Sequence, residues 1–127
     1  MTEIQILALY GLLVILTLIL QATGGLTQLG MGYLLGSRDE NRTVKGIAGR
    51  LERALNNSVT AMVLFAPAVL LIYVTDSSTN ETLLAAQAFL IARLIYLPSY
   101  AFGIVGLRSL AWTVGIVATT ALYLLAL

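Results

Sequence analysis

The chain has 127 residues, of which 59% are hydrophobic and only 10% charged, with a mean hydropathy of +0.94 and a net charge of +1. A soluble domain of this length has too little interior to hide so much apolar surface, so the sequence reads as an integral membrane protein, and its charge gives no sign of nucleic acid. Cysteine and histidine are both absent, which excludes disulfides, thiolate metal sites and the usual general base; no metal site is expected, and any nucleophilic sulfur has to arrive with a ligand.

The first hydrophobic run follows Glu3 without a basic n-region or a small-residue cleavage site, so it is expected to be retained. Residues 4–35 carry no charge. As one helix they extend about 48 Å, against a hydrocarbon core of about 30 Å. The predicted span of about 4–36 must therefore tilt, bend or project, and Gly24-Gly25 is the natural bend point. Gly32 and Gly36 form a small-residue packing motif that is common by chance. Residues 37–46 (SRDENRTVKG) read as a surface loop, with a glycosylation sequon at Asn41-Arg42-Thr43 that the topology below discounts.

The second span is predicted over about 49–74, with a kink at Pro67. Arg50, Arg53, Asn57 and Thr60 recur at i, i+3, i+7 and i+10. They fall in one stripe roughly 80° wide and about 15 Å long. Lipid cannot solvate such a stripe, so it must face protein or a watery cavity. Arginines at a helix end also snorkel to headgroups. That accounts for Arg50 taken alone, but Asn57 and Thr60 lie too deep for it. The stripe therefore reads as the wall of a polar site at one membrane surface.

The third span, about 81–100, follows a short polar turn. Arg93, Tyr96, Tyr100 and Gly103 repeat the same spacing on one face. An interfacial aromatic belt is the competing account of the tyrosines. Arg93 lies about 10 Å inside the helix end, and pairing with Glu52 or capping of carbonyls is expected of it. Gly103 and Gly106 mark a turn, and Arg108-Ser109 opens the fourth span, about 108–127, with Trp112 near an interface. All seven basic residues lie within 38–53 or at 93 and 108. The positive-inside rule then puts both basic loops in the cytoplasm and both termini outside.

Two segments carry a family resemblance: LGSRDENRTVKGIAGRLERALNN, and after a hydrophobic run ARLIYLPSYAFGIVGLRSLAW. Together they resemble a bacterial-type member of the MAPEG family (membrane-associated proteins in eicosanoid and glutathione metabolism). The resemblance covers nearly the whole chain. It implies a single four-transmembrane-helix bundle over 1–127, an all-α membrane protein assembling as a homotrimer in the bacterial inner membrane, with glutathione as co-substrate between subunits near the cytoplasmic face. By motif match, Arg53 and Asn57 correspond to glutathione-binding positions, with Arg50 and Thr60 on the same stripe. Tyr96 and Tyr100 correspond to ligand-contacting positions. Arg108 resembles the arginine that stabilises the glutathione thiolate, and Ser109 the hydroxyl beside it. The chain departs from the family where Asn-x-x-Glu is usual. Thr60 stands at the glutamate position and offers a neutral hydroxyl to the amine of the glutamyl group. Arg38 lies out in the loop, where many members carry a basic residue on the first span.

Two functions follow from this reading. One is an enzyme that transfers glutathione to, or uses it to reduce, a lipophilic electrophile delivered by the lipid phase. The other is a non-catalytic member that binds another anionic amphiphile or accompanies a larger membrane complex.

Overall fold

A hydroxyl starts the first helix. Thr2 accepts a hydrogen bond from the Gln5 backbone N–H at 3.3 Å, and the Gln5 side chain accepts from the Thr2 N–H at 2.9 Å. This reciprocal box satisfies two amides that a helix N-terminus leaves open. In the computed structural model, which describes residues 1–30, 32, 35, 36 and 45–127, helix α1 then runs over Glu3–Leu29. It continues unbroken through Gly24-Gly25 to Gly30, whose φ of 85° ends it. Gly24 instead permits a close approach: a Cβ there would lie 2.8 Å from the Ala48 Cβ on the next helix. Most of the predicted 37–46 loop lies outside the described residues, and with it Arg38 and the sequon.

Helix α2 spans Gly46–Val74 and passes through Pro67 without interruption. The Gln28 side chain fixes its start to the end of α1 through two bonds, donating to the Lys45 carbonyl at 2.9 Å and accepting from the Lys45 N–H at 2.8 Å. Its end is closed by bonds from Ser77 N–H to Ile72 O and from Asp76 N–H to Tyr73 O, with Asp76 at φ 53°. That is the six-to-one, five-to-two pattern of a Schellman turn, in which Asp takes the left-handed position usually given to Gly.

Helix α3 spans Asn80–Ala101, opened by a second capping box between Thr79 and Thr82. Its end repeats the Schellman pattern, with Ile104 N–H on Ser99 O, Gly103 N–H on Tyr100 O and Gly103 at φ 72°. Helix α4 spans Val105–Ala126. Gly106, predicted to share in the turn, lies inside α4, because Gly103 alone supplies the one left-handed residue that the turn requires.

All four helices are long and apolar enough to cross a membrane. The pairing of α3 with α4 is the most extensive; α2 packs on all three others, and α1 and α4 do not meet among the described residues. The main core is aromatic. Phe65 and Phe89 stack at 3.8 Å, and Tyr10 meets both rings edge-on, at 6.0 and 4.8 Å. The Tyr10 hydroxyl donates to the Ser58 carbonyl at 2.8 Å, so the ring fills the core without stranding its polar end. Leu12, Ile15, Ile19, Leu84, Val117 and Leu124 remain exposed, as an outer surface solvated by lipid requires. At the end of the bundle opposite the basic residues, buried Glu3 accepts bonds from Ser78 and Thr82, tying α1 to the start of α3.

Candidate functional site

The polar stripe of α2 divides between three environments. The Arg50 guanidinium lies against the turn between α3 and α4, its Cζ 3.5 Å from where a Cβ on Gly103 would sit. Gly103 therefore serves the backbone turn and leaves room for this side chain. Arg53 is exposed. Asn57 is half-buried and its Oδ1 accepts from Arg93 Nη1 at 2.9 Å. Thr60 is exposed, and its hydroxyl donates to the Asn56 carbonyl one turn back at 3.0 Å.

Among the described residues Arg93 neither pairs with Glu52 nor caps a carbonyl. Glu52 is exposed, while Arg93 is only 3% exposed and points to α2. Its second terminal nitrogen donates to Ser58 Oγ at 2.9 Å, and its Cζ stands 4.0 Å from the centre of the Tyr96 ring. Neutral groups, an amide, the Ser58 and Tyr10 hydroxyls and a ring face, therefore surround a cation that lies about 12 Å along α3 from its C-terminal end. The physical reason is reach: α2 and α3 bring Asn57 and Ser58 opposite Arg93, whereas Glu52 lies more than a helical turn further toward the start of α2. Ser58 is the residue that the sequence reading missed, because it stands one position off the stripe.

Tyr96, Tyr100, Arg108 and Ser109 come together. They line a cleft of about 440 Å³ with Trp112 and Thr113. The Gly103 turn folds α4 back along α3, which places the Arg108 Cζ 4.7 Å from the centre of the Tyr100 ring. The Tyr96 and Tyr100 rings lie 5.6 Å apart and tilted by 53°. Contact with the ring face holds the guanidinium without using any of its five N–H donors. Arg108 also sits in the first turn of α4, where the helix dipole adds positive potential.

A second chamber, of about 190 Å³, lies deeper between α2, α3 and α4. Asn57, Thr60, Phe89, Arg93, Trp112 and Gly115 are among its walls. Trp112 lines both spaces. Together the two chambers offer guanidinium groups, an amide, tyrosine and serine hydroxyls and ring faces. Such a set can hold anions and stabilise a developing negative charge on a ligand.

A sequence model of the MAPEG family matches residues 6–127. No curated protein and no solved structure matches the chain.

Proposed function

The chain belongs to the MAPEG family, and on that premise we propose that it is an integral membrane enzyme that binds glutathione against α2, α3 and α4 and directs its thiol at a lipophilic electrophile. The observation that carries this reading is the cleft of Tyr96, Tyr100, Arg108 and Ser109, where a guanidinium, a helix N-terminus and hydroxyls converge. Arg108 stabilises the thiolate after the thiol proton leaves to water. The sulfur then forms a bond to the electrophilic carbon, and the displaced or newly charged group takes up a proton from solvent. Ser109 and Tyr100 add hydrogen bonds to sulfur, and Arg50 and Arg53 hold ligand carboxylates.

A second reading is a non-catalytic member that binds a different anionic amphiphile or accompanies a larger membrane complex. The specific observation in its favour is Thr60. It occupies the position of the family's usual glutamate, and its hydroxyl proton is engaged by Asn56. The amine of a glutamyl group finds no anionic partner there. Glutathione binding to the purified protein separates the two readings. Saturable binding at millimolar concentrations is expected, tightened in Thr60→Glu by the new partner for the amine. No binding to the wild type, or no tightening in the variant, favours the second reading.

Orientation and assembly belong to the same proposal. The basic loops face the cytoplasm of a bacterial inner membrane, both termini lie outside, and three copies form a homotrimer. With no native cysteine, one introduced at Ser78 should react with an impermeant reagent in intact cells and one at Thr43 should not. Native mass spectrometry should show three chains. The reverse labelling pattern, or a stable monomer or dimer, would overturn the corresponding half of the proposal.

A further inference from the structure

We infer that the groove at the end of the bundle opposite the basic residues is a binding site for a zwitterionic phospholipid whose headgroup ends in a primary ammonium. Shape is the first argument. The start of α1 and the end of α2 border a half-open space of about 610 Å³. Buried Val69 and Ile72 line it together with exposed Leu70, Tyr73 and Ile4. Thr2, Asp76 and Ser78, which lie outside the helices, give it a polar edge. Val69 and Leu70 lie about 6–8 Å inside the end of α2 at Val74, and a headgroup layer is about 5–8 Å deep. The groove therefore runs from headgroup level to the first carbons of the acyl chains. At about 30 Å³ per water-sized group it takes roughly twenty non-hydrogen atoms. That is enough for a headgroup, its glycerol and the head of one chain.

Charge is the second argument. Glu3 and Asp76 both line the space, and among the described residues no Lys or Arg does. The Glu3 carboxylate is already engaged: it accepts from Ser78 and Thr82 at 2.8 and 2.7 Å, and the α-amino group of Met1 acts on it. Asp76 is the open acceptor. Among the described residues its carboxylate has no hydrogen-bond or ion-pair partner, and only its backbone N–H is bonded, to Tyr73 O at 3.2 Å. The Tyr73 ring beside it is 69% exposed. An ammonium at this edge donates to the Asp76 carboxylate and lies against the ring face. The Thr2 hydroxyl, whose oxygen accepts from the Gln5 N–H, keeps its own proton for a phosphate oxygen. A lipid of net negative charge meets the same two carboxylates with no ammonium to offset them, and is disfavoured.

The apolar walls decide between a lipid and a soluble amine. A soluble amine uses only the polar edge and leaves Ile4, Leu70 and Tyr73 uncovered, whereas a phospholipid covers edge and walls together. Hydrogen bonding decides between ammonium types. A primary ammonium has N–H groups to donate to the carboxylate, and a trimethylammonium offers only its charge to the ring.

The test is native mass spectrometry of the detergent-purified protein, without glutathione, so that its outcome is independent of the thiol chemistry. The protein is offered an equimolar mixture of phosphatidylethanolamine, phosphatidylcholine and phosphatidylglycerol with matched acyl chains. The amount retained per chain is expected to fall in that order. An exposed charge pair changes affinity by up to about fivefold, and the first lipid should exceed the last by roughly that factor. Asp76→Asn should bring the three lipids close to parity. Asparagine tolerates the left-handed backbone at φ 53°, so the turn should hold. If that variant does not fold, Asp76→Gly removes the same carboxylate at a backbone angle that glycine adopts freely. Glu81→Gln takes a charge from the same end but outside the groove lining, and should leave the order unchanged. Parity of the three lipids in the wild type, an unchanged order in Asp76→Asn, or an equal loss in Glu81→Gln would overturn the site. So would disulfide formation between two copies of Leu70→Cys with no lipid retained, which would assign the groove to a contact between chains.

Discussion

Arg108→Ala is expected to leave glutathione bound while removing its thiolate absorbance at neutral pH. A free thiol with a pKa of about 8.5 is only a few per cent thiolate at pH 7. A guanidinium within about 4–6 Å lowers such a pKa by roughly 1–3 units, enough to make the thiolate a large fraction or the majority. Arg108 is the cation best placed to do this. It lies over the Tyr100 ring at 4.7 Å in the same cleft as Ser109 and Tyr96, in the first turn of α4, where the dipole acts in the same direction. Arg50 is drawn to the Gly103 turn, Arg53 is exposed, and Arg93 is engaged with α2. Loss of one charge-assisted contact should weaken glutathione only modestly if other cations hold its carboxylates. The competing account is that Arg108 merely anchors the start of a span at the cytoplasmic face. The ultraviolet difference spectrum of bound glutathione against pH separates them. Equal thiolate signals in wild type and Arg108→Ala would leave Arg108 an anchor and remove it from the chemistry.

The sequence made the helices legible because uncharged runs of membrane length have few other structures open to them. Polar punctuation then set their ends: Thr2 and Thr79 cap two of them, and Gly30 and Gly103 stop two. Periodicity picked out the face of α3 that carries Tyr96 and Tyr100, and the family resemblance picked out Arg108 and Ser109 at the start of α4; the four line one cleft. What periodicity cannot supply is the rotation and height of one helix against another. That is why the Arg50, Arg53, Asn57 and Thr60 stripe, continuous on paper, divides between a turn, an exposed surface and a chamber wall. It is also why the partner of Arg93 was not legible: Ser58 and Asn57 are adjacent in sequence, and only packing decides that both reach the guanidinium. Gly24 shows a different limit. A bend and a close helix contact both require the absence of a side chain, and the 2.8 Å approach to Ala48 is a property of the fold alone.

Asn57→Ala and Arg53→Ala are expected to differ most in stability. Their positions on one stripe suggested equivalent roles in holding an anion, with Arg53 contributing more through a charge-assisted bond. In the structure Asn57 also holds Arg93, at 2.9 Å, deep in the bundle. Removing the amide takes a hydrogen-bond acceptor from a buried cation, at a cost of about 1.5–3 kcal/mol. Arg53 is exposed, so its truncation should leave the unfolding temperature within the small range usual for surface changes and act on anion binding alone. Asn57→Asp sharpens the contrast. It gives Arg93 a carboxylate, so the fold should be at least as stable as wild type, while the added negative charge should repel an anionic ligand. The expected order of thermal stability is Asp, then wild type, then Ala at position 57; the expected order of anion affinity is wild type, then Ala, then Asp. Thermal unfolding and glutathione titration of the same three purified proteins read the two orders separately. Equal unfolding temperatures for Asn57→Ala and Arg53→Ala would mean that the Arg93–Asn57 bond contributes nothing to the fold. Wild-type anion affinity in Asn57→Asp would place the anion away from α2.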